Sequence, residues 1–529
     1  MKYQLSQLSK EEKVCGIVIF VLASIALFVN LGVHPLRDEE PRRAFVALEM
    51  LFRNNCIVPT ELGEYYYNKP PLFNWIIILS FKLFGAYSEL AIRFFSVLSV
   101  LLNALLVFLL SRTYVGLRFG VYSALFFLAT IHIVFYFSIT GEIDLFYTLI
   151  TTACLLSIFH FEQQNSYYKL FVISYILAAL GTLTKGLPSI AFMGITLLVY
   201  FAYRKKFLKL FSPAHFVGIG TFLLIVGGYF FWYSQYADPV PYLMQLFRES
   251  SQRTVVESRL FSFFRHLFTY PFQALVDMMP YSLLLVFAFR KGFINTLRQN
   301  SLVAFSALVF IANVILYWLS PGASSRYLCP LYPYFAIVMT YFWLTDTEGK
   351  KQMLFEKLIL LLIILVILAG LVLPFIDQIA VFISAIKLIS LVTVFGGVVI
   401  FWVYRKYASL RMMSLLLLVF WIRFVFDLTV LPIRAQSGRD FRDKQLAYQI
   451  MEIVGDQPLH VWGEGSRPPR VTSFYLERAR GEVLGFTKEI NPNDYYIVFE
   501  EHLAGRKYDS LLNFEDLGIP IRLVKFKPE

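Results

Sequence analysis

The chain has 529 residues, of which 58% are hydrophobic and only 16% charged, and its mean hydropathy is +0.62. About a quarter of the residues in a soluble domain are charged, so this composition excludes an ordinary soluble protein and predicts a multispanning membrane protein. A net charge of +12 would suggest nucleic acid in a soluble chain. Here Lys and Arg stand in short loops between apolar segments, where they are orientation signals, so we expect no nucleic-acid partner.

The apolar segments predict the membrane-spanning helices. A helix needs about 20 apolar residues to cross the hydrocarbon core. Thirteen segments meet this requirement approximately: residues 14–33, 89–110, 119–137, 145–161, 168–183, 187–203, 216–233, 274–289, 302–319, 328–344, 358–375, 379–404 and 410–430.

The loop charges predict the orientation of these helices. If the N-terminus is cytoplasmic, the basic clusters at 112–118, 204–209, 290–298, 350–357 and 405–411 all fall in cytoplasmic loops, as the positive-inside rule requires. The noncytoplasmic side then receives the following segments: 34–88, 141–144, 184–186, 236–270, 321–326 and everything after 432. Each charged group that we consider for chemistry therefore lies on one face of the membrane.

Two kinds of element lie outside the spans. Segment 72–84 is apolar but too short to cross, so we predict an interfacial helix there, with similar surface elements at 42–53 and 236–270. We expect two domains, a transmembrane domain over residues 1–432, with its first noncytoplasmic loop at 34–88, and a soluble noncytoplasmic α/β domain over 433–529. The soluble domain should contain a helix at 440–454, strands at 459–462, 495–499 and 521–526, and a helix or turn at 468–477.

The first noncytoplasmic loop contains an unusual cluster of charges. Three consecutive acids, Asp38, Glu39 and Glu40, are followed by Arg42 and Arg43. A solvated loop would explain the acids alone. Acids and bases together at a membrane surface indicate a polar cavity, because ionised groups are costly at membrane depth.

A second pair of acids stands where one predicted helix ends and the next begins. Glu142 and Asp144 occur in the sequence TGEID. Acids favour the positive end of a helix, so N-terminal capping is the simpler explanation. Membership of the same polar cavity is the alternative.

Four cations on the same face could bind an anion together. These residues are Lys69 in NKPP, Lys185 in TKG, Arg253 in ESSQR and Arg326 in SSRY. Arginine suits a phosphate because its guanidinium donates two parallel hydrogen bonds. Each side chain alone could also extend to lipid head groups.

The remaining candidate side chains predict less. Tyr66 and Tyr327 could stack on a sugar, although tyrosine is also common in the interfacial belt of membrane proteins. The four cysteines are scattered, and His34, His266 and His502 are isolated, so no metal spacing is present. We therefore predict no required cofactor and leave a divalent metal open.

Several motifs together resemble a known family. The segments DEEPRRAFVALEM, GEYYYNKPPLFNW, GEIDLFYTL, TKGLPS, ESSQR and SSRYLCPLYP occur in this order within residues 14–345. They resemble the bacterial branch of the dolichyl-phosphate-mannose protein mannosyltransferase superfamily, and most of all its lipid A aminoarabinose transferases. The resemblance implies an all-α polytopic C-type glycosyltransferase fold of about thirteen transmembrane helices with interfacial helices.

The resemblance also implies a function. Such enzymes take a sugar from a polyprenyl (undecaprenyl) phosphate carrier, with inversion, and we expect the acceptor to be lipid A, a glycan or a protein. The expected location is the bacterial inner membrane, with a periplasmic C-terminal domain and a monomeric chain. A protein O-glycosyltransferase or an oligosaccharide ligase is the alternative within this class, and a polyprenyl-lipid flippase is the alternative outside it.

The resemblance assigns roles to particular residues. The catalytic carboxylate of the first loop would be Glu39 by gapless counting back from Arg43, or Asp38 by residue type, and Asp144 matches the second acid of the family. Substrate binding falls to Arg42, Arg43, Tyr66, Lys69, Lys185, Arg253, Arg326 and Tyr327. One departure concerns Asn68, which stands where the aminoarabinose enzymes carry an acid implicated in metal binding, so the metal and the identity of the substrate stay open.

Overall fold

The computed structural model describes residues 5–252, 260–346 and 349–528. The helices of these ranges, numbered in chain order, are α1 (Lys10–Phe28), α2 (Glu40–Phe52), α3 (Leu72–Phe84), α4 (Glu89–Tyr114), α5 (Leu117–Leu128), α6 (Ile131–Phe135), α7 (Ile143–Gln163), α8 (Tyr167–Lys185), α9 (Pro188–Tyr203), α10 (Pro213–Tyr233), α11 (Pro239–Gln252), α12 (Leu260–Asp277), α13 (Phe293–Arg298), α14 (Ser301–Trp318), α15 (Tyr332–Leu344), α16 (Lys350–Val372), α17 (Asp377–Ala380), α18 (Ile386–Lys406), α19 (Arg411–Arg434), α20 (Arg439–Val454) and α21 (Arg470–Arg480). The strands are β1 (Thr60–Glu61), β2 (Glu64–Tyr65), β3 (Leu459–Trp462), β4 (Phe486–Thr487), β5 (Tyr495–Phe499), β6 (Tyr508–Asp516) and β7 (Ile519–Phe526).

The predicted polytopic all-α membrane fold is confirmed. Within the described ranges, nine helices are long and apolar enough to cross a membrane, and eleven if two bent pairs each count as one span. The other two predicted spans are also helical, but α9 has only 16 residues, which rise about 24 Å, and α1 begins with the charged sequence KEEK. All thirteen predicted segments therefore coincide with a helix or a bent pair.

The predicted span 274–289 is not a straight helix, and this part of the prediction was wrong. The α-helix ends at Asp277, and the 3₁₀ helix Tyr281–Ala288 leaves it at an angle of 114°. Pro280 stands between them, and an α-helix does not continue through proline without losing a hydrogen bond and accommodating the ring. The predicted segment is therefore a bent pair of helices in place of one straight helix.

The predicted span 119–137 also bends, by 43°, between α5 and the segment Ile131–Ile139. The buried Arg423 of α19 reaches the bend and donates hydrogen bonds to the carbonyl of Val134 and, at 2.7 Å, to the hydroxyl of Ser138. Lipid supplies no hydrogen-bond donor, so polar acceptors near a break in a membrane helix need a partner from the protein. Arg423 provides this partner at the bend.

The first loop forms two short helices joined by a hairpin. α2 was predicted at 42–53 and begins two residues earlier, with Pro41 in its first turn, where proline is well tolerated. The predicted interfacial helix 72–84 is α3, and its 13 residues are too few to span a membrane. Between them β1 and β2 pair antiparallel.

A buried ion pair fixes this loop to the membrane helices. Nε of Arg93 in α4 lies 2.6 Å from Oε1 of Glu40, and Nη2 lies 2.9 Å from Oε2. The same guanidinium donates to the carbonyls of Leu31 and His34, and the backbone N–H of Gly141 donates to Glu40 at 2.8 Å. The pair of Arg93 and Glu40 thus joins the end of the first span, the first loop and the loop before α7.

The C-terminal part forms a five-stranded mixed sheet in the order β4-β3-β5-β7-β6. β3 pairs parallel with β4 and β5, and the β5–β7 and β6–β7 pairs are antiparallel. The predicted strands correspond to β3, β5 and β7, and the predicted helix 440–454 to α20. The region predicted as a helix or turn at 468–477 contains α21, which begins at Arg470 after Pro468 and Pro469. The strands β4 and β6 were not predicted.

This sheet region is attached to the first loop and to α4. The buried Glu89 of α4 pairs with Lys444 at 2.8 Å and Arg478 at 3.3 Å, and the hydroxyl of Tyr475 donates to it at 2.7 Å. Apolar residues of α2, α3, α20 and α21 form one hydrophobic core. The division of the chain at residues 432 and 433 stays a prediction, since α19 continues to Arg434.

Candidate active site

One cavity of about 190 Å³ collects charged side chains from six separate segments of the chain. We call it the charged cavity. It is lined by Glu39, Arg42, Arg43, Asn68, Lys69, Glu142, Ile143, Asp144, Lys185, Glu249, Arg326 and Tyr327. Eight of the eleven predicted site residues are among them.

Glu39 lies at the start of α2 between two arginines of the same helix. Nη1 of Arg42 is 2.8 Å from its Oε2, and Nη2 of Arg43 is 3.8 Å from the same oxygen. Both contacts follow from helical spacing, because residues three and four positions apart share a face. The Glu39 side chain is still 37% exposed, so its carboxylate remains accessible from the cavity.

Two predicted residues lie just outside the charged cavity. The backbone of Asp38 has φ of +55°, and its carboxylate pairs with Nε of Arg37 at 3.1 Å. Tyr66 is buried behind Arg43, whose Nη1 donates to its hydroxyl at 2.6 Å. Tyr66 therefore positions an arginine, and neither Tyr66 nor Asp38 lines the cavity.

The second acid faces a lysine from the neighbouring helix. Asp144 in the first turn of α7 lies 2.5 Å from Nζ of Lys185, the last residue of α8. That ammonium also lies over the rings of Tyr147 and Tyr327, at 5.1 and 5.3 Å. Glu142 is the N-cap residue of α7, but its side chain makes no capping hydrogen bond. Glu142 therefore does not cap α7 through its side chain, whereas Asp144 lies in the first turn of the helix and also pairs with Lys185.

The remaining cations enter from the first loop and from the segment after α14. Nζ of Lys69 donates to Oδ1 of Asn68 at 2.6 Å and lies 3.6 Å from Glu249 of α11. The guanidinium of Arg326 lies over the ring of Tyr327 at 5.5 Å. Arg253, which we predicted to bind the same anion, lies outside the described residues.

The charge of the cavity favours an anionic ligand. Burial, and then the adjacent Asp144 carboxylate, raises the pKa of Glu142 to about 8, so this carboxyl group is mostly protonated at neutral pH. Five cations then face three carboxylates. An excess of positive charge in a small, partly desolvated cavity stabilises a phosphate and any charge that develops on it.

The donor set does not fit a divalent metal. Asn68 stands where the resemblance implied a metal-binding acid, and its amide oxygen accepts a hydrogen bond from Lys69 at 2.6 Å. No group of three or more His, Cys, Asp or Glu side chains in metal-binding geometry occurs in residues 5–252, 260–346 and 349–528. We therefore derive no catalytic step through a metal.

Two important residues were missed by the sequence reasoning. Glu249 approaches Lys69, and the only signal for it in the sequence was its place among apolar residues in the segment predicted to lie at the membrane surface. Arg93 looks like a charge at the end of an apolar helix, where extension to head groups is common. Its pairing with Glu40 depends on a contact 53 positions apart in the chain.

The fold is that of a polytopic membrane protein, and the charged cavity brings acids and cations together at one end of its helices. Comparison with known proteins agrees with the family resemblance that the sequence motifs predict. Residues 68–232 match the family model described as dolichyl-phosphate-mannose-protein mannosyltransferase. The resemblance predicted from the sequence is therefore confirmed.

Several relatives are named after one reaction. An undecaprenyl phosphate-alpha-4-amino-4-deoxy-L-arabinose arabinosyl transferase of Edwardsiella ictaluri is 27% identical over 63% of this chain and 60% of its own length. One of Proteus mirabilis is 29% identical over 33% of this chain and 32% of its own length. An uncharacterised protein of Aquifex aeolicus is 27% identical over 66% of this chain and 68% of its own length.

A solved structure has the same fold over almost the whole chain. ArnT from Cupriavidus metallidurans, bound to undecaprenyl phosphate, superposes with a TM-score of 0.73, covering 97% of this chain and 99% of ArnT at 18% identity. Its apo form gives 0.71. The predicted C-type glycosyltransferase fold is confirmed, and the comparisons agree with the predicted enzyme class, a membrane glycosyltransferase with a polyprenyl-linked sugar donor.

Proposed function

We propose that this protein transfers a sugar from a polyprenyl phosphate carrier to a hydroxyl or phosphate group of lipid A, a glycan or a protein at the noncytoplasmic face of the bacterial inner membrane. The single observation that carries this proposal is the charged cavity, where Glu39 and Asp144 meet Arg42, Arg43, Lys69, Lys185 and Arg326. The aminoarabinose transferases among its relatives support undecaprenyl phosphate as the carrier and a pentose as the sugar.

The cations bind the phosphate of the donor. Lys185 and Lys69 already bind carboxylates, at 2.5 Å to Asp144 and 3.6 Å to Glu249. A phosphate oxygen offers each ammonium an acceptor of equal charge. As the bond from the anomeric carbon to the phosphate oxygen breaks, negative charge grows on that oxygen, and fixed cations stabilise this change more than they stabilise the bound donor.

Glu39 activates the acceptor. The acceptor oxygen attacks the anomeric carbon from the side opposite the phosphate, the polyprenyl phosphate leaves with the bonding electrons, and Glu39 takes the proton of the acceptor. A single displacement of this kind inverts the configuration of the sugar. Arg42 at 2.8 Å holds the carboxylate in place, and the 37% exposure of Glu39 leaves it room to contact an acceptor.

The lipid chain of the donor reaches the cavity along α11 and α12. Glu249 of α11 points to Lys69, while Val240, Met244 and Phe247 of the same helix are exposed apolar residues. α12 exposes Phe264, Phe268, Phe272 and Val276. Such amphipathic helices lie at the boundary between head groups and acyl chains. A polyprenyl chain therefore remains in the bilayer while its phosphate enters the charged cavity.

The orientation follows from the loop charges together with this site. With a cytoplasmic N-terminus, the charged cavity and the C-terminal sheet lie on the noncytoplasmic side. The basic cluster Arg204 and Lys206 pairs with Glu162 at the opposite end of α7 from Asp144, which supports this arrangement. A monomeric chain is sufficient, because one chain supplies all of the proposed binding groups.

Reconstituted full-length protein tests the function. It is incubated with undecaprenyl phosphate-linked aminoarabinose and lipid A in nanodiscs, and mass spectrometry detects the sugar added to lipid A. We expect transfer by the wild type and a loss of roughly 10²- to 10⁴-fold in Glu39→Gln, the range typical of a general base.

Asp38→Asn is the matched control, because this carboxylate neighbours Glu39 but pairs outward with Arg37. It should transfer the sugar at close to the wild-type rate. Loss of transfer in Asp38→Asn with full activity in Glu39→Gln would overturn the assignment of the base. A second assay uses the protein reconstituted in lipid vesicles. Movement of the donor lipid from one leaflet of the vesicle to the other, with no glycosylated product, would favour a flippase.

A further inference from the structure

A second and larger cavity lies beside the charged cavity. Its volume is about 920 Å³, and it lies between the β1–β2 hairpin of the first loop and the C-terminal sheet. We call it the hairpin cleft. Its lining residues fall within 61–68 on one side and within 462–470 and 486–488 on the other, and Arg42 and Gln245 also contribute.

The C-terminal wall is built at a place where sheets commonly bind ligands. Trp462 ends β3 and Thr487 ends β4, and these two strands run parallel. Ligands of open α/β sheets bind outside the carboxyl ends of parallel strands. The loop after β3 turns sharply at Gly463, where φ is +91° and a Cβ would lie 2.5 Å from the ring of His502.

An ion pair and a hydrogen bond join the two walls, so their relative position is fixed. Nε of Arg470 lies 2.8 Å from Oε1 of Glu61. The backbone N–H of Phe486 donates to the carbonyl of Leu62 at 3.3 Å, which connects β4 to the hairpin. Arg53, which directly follows α2, donates to the carbonyl of Gly63 at 2.7 Å. The first loop and the sheet therefore form one surface.

Two residues line both cavities. Arg42 and Asn68 belong to the wall of the hairpin cleft and to that of the charged cavity. Arg42 holds Glu39 at 2.8 Å, and its Nε is buried without a hydrogen-bond partner in the part of the chain that the structure describes. A ligand in the hairpin cleft is thus separated from the proposed base by one arginine side chain that can still donate a hydrogen bond.

The lining of the cleft suits a carbohydrate. Tyr65 is 54% exposed, and Trp462 and Phe486 are partly exposed, so aromatic rings face the cleft. Arg467 and Lys488 are exposed, and neither side chain has an ion pair within the described ranges. Aromatic faces bind the C–H surface of a sugar, and nearby charged groups hydrogen-bond its hydroxyls. An acyl chain would need an apolar wall, which these residues do not provide.

We propose that the hairpin cleft binds the carbohydrate part of the acceptor, so that a sugar hydroxyl or its phosphate passes Arg42 and reaches Glu39. This inference rests on the proposed function and adds the class of acceptor: a glycan, whether carried on a lipid or free, in place of a protein side chain. It also gives the C-terminal sheet a role, as one half of the acceptor site.

Kinetics of full-length variants test the proposal. In Arg467→Ala and in Tyr65→Ala, the ratio of the acceptor KM to the donor KM should rise about tenfold, as expected for the loss of one strong polar or stacking contact. Lys507→Ala removes an exposed lysine that directly precedes β6, outside the cleft, and should keep the wild-type ratio. A tenfold rise in Lys507→Ala as well would overturn the proposal.

Inhibition experiments identify the source of the carbohydrate. The deacylated, water-soluble saccharide of lipid A should inhibit transfer by the wild type and should inhibit Arg467→Ala about tenfold less. Equal inhibition of both proteins would contradict the cleft as its binding site. Competitive inhibition by a Ser- and Thr-containing peptide, with none by the saccharide, would replace the glycan with a protein acceptor. If the wild type transfers no sugar from the donor, the proposed function itself fails. If the wild type transfers sugar but Arg467→Ala and Tyr65→Ala keep the wild-type KM ratio, only the acceptor site in the hairpin cleft is overturned.

Discussion

Two neighbouring carboxylates of the first loop have opposite surroundings. Glu39 lines the charged cavity, with 37% of its side chain exposed and Arg42 on one oxygen. Glu40 is fully buried, and its oxygens accept hydrogen bonds from Arg93 and from the backbone of Gly141 and Arg37. One residue faces a void, and the next is enclosed by donors.

This difference separates chemistry from scaffolding. A buried ion pair with every lone pair satisfied has nothing to gain from a new partner, and removing one member leaves an uncompensated charge. A carboxylate with one arginine and an open side can exchange its partner for an incoming hydroxyl. Substitutions in the charged cavity should therefore change sugar transfer, and substitutions in the framework around it should change stability.

The largest effect is expected in the framework. Arg93→Met leaves Glu40 buried without its cation, so the free energy of unfolding should fall by about 3–5 kcal/mol, the typical cost of breaking a buried pair. Thermal unfolding of the purified protein in detergent measures the change. Arg37→Met is the matched control, because Arg37 binds the partly exposed Asp38 and such pairs contribute about 0–1 kcal/mol. Equal losses in the two variants would contradict the framework role of Arg93.

The second largest effect is expected in the charged cavity. Lys185→Met removes a cation that binds Asp144 and, in our proposal, the donor phosphate, so kcat/KM for the donor should fall by about 10²- to 10³-fold. The double variant Lys185→Met with Asp144→Asn removes the uncompensated carboxylate and should restore stability but not transfer. Recovery of transfer in the double variant would show that the lysine only neutralises Asp144.

Lys206→Met is the control for this lysine. Lys206 pairs with Glu162 at 2.8 Å, at the other end of the helix that begins beside Asp144. Glu162 keeps Arg204 as a second partner at 3.1 Å. We therefore expect a transfer rate within about twofold of the wild type, since the lost pair is partly exposed.

The sequence predicted the members of the charged cavity better than the framework that holds them. Lys69, Lys185 and Arg326 interrupt apolar stretches, so their charge was visible against the background, and loop counting placed them on one face. Arg93 is just as polar, but its partner comes from another loop. The pattern of residues along the chain does not identify the partner of a buried charged residue, because the partner depends on how the helices pack.

Element boundaries failed where proline decided the local geometry. Pro280 turned the predicted straight span 274–289 into a bend, and Pro468 with Pro469 delayed the start of α21. The β6–β7 hairpin was only half predicted, although the sequence DLGIP between its strands contains the Leu517–Gly518 turn, where both residues have positive φ. β6 alternates exposed and partly buried residues at the sheet edge, so its apolar content was too low to identify it.

A smaller effect is expected where the first loop contacts the C-terminal sheet. Burial raises the pKa of Glu49 to about 7, and burial together with the charge of Glu49 raises the pKa of Glu477 to about 10. Both carboxyls titrate near 4.5 in the unfolded chain. Between pH 4.5 and the raised pKa values, the folded state therefore binds more protons than the unfolded state, and a rise in pH favours unfolding. This contribution to stability is complete below pH 4.5 and decreases as the pH rises, with most of the loss from Glu49 complete by about pH 7.

Glu477→Gln should remove much of that pH dependence. The amide keeps an acceptor for the N–H of Leu484, which donates to Glu477 at 2.6 Å, and it can donate to Glu49. We expect the variant to be more stable than the wild type at pH 8 by on the order of 2 kcal/mol, and to differ little at pH 5. Glu452→Gln, at an exposed position of α20, is the control and should keep the wild-type slope. A wild-type unfolding temperature that rises from pH 5 to pH 8 would contradict this assignment.

The smallest effect concerns Asn68, which lines both cavities. Its amide oxygen accepts a hydrogen bond from Lys69 at 2.6 Å, and cations already supply the positive charge that the donor phosphate needs. Treatment with EDTA should therefore change the transfer rate of the wild type by less than about twofold. Asn68→Asp adds a carboxylate that competes with the phosphate for Lys69, which should raise the donor KM about threefold, the scale of a partly exposed ion pair. If EDTA abolishes transfer by the wild type and Mn²⁺ restores it, a metal ion and not the lysines and arginines neutralises the phosphate. The charged cavity would then differ from the framework by holding a metal as well as by its accessible carboxylate.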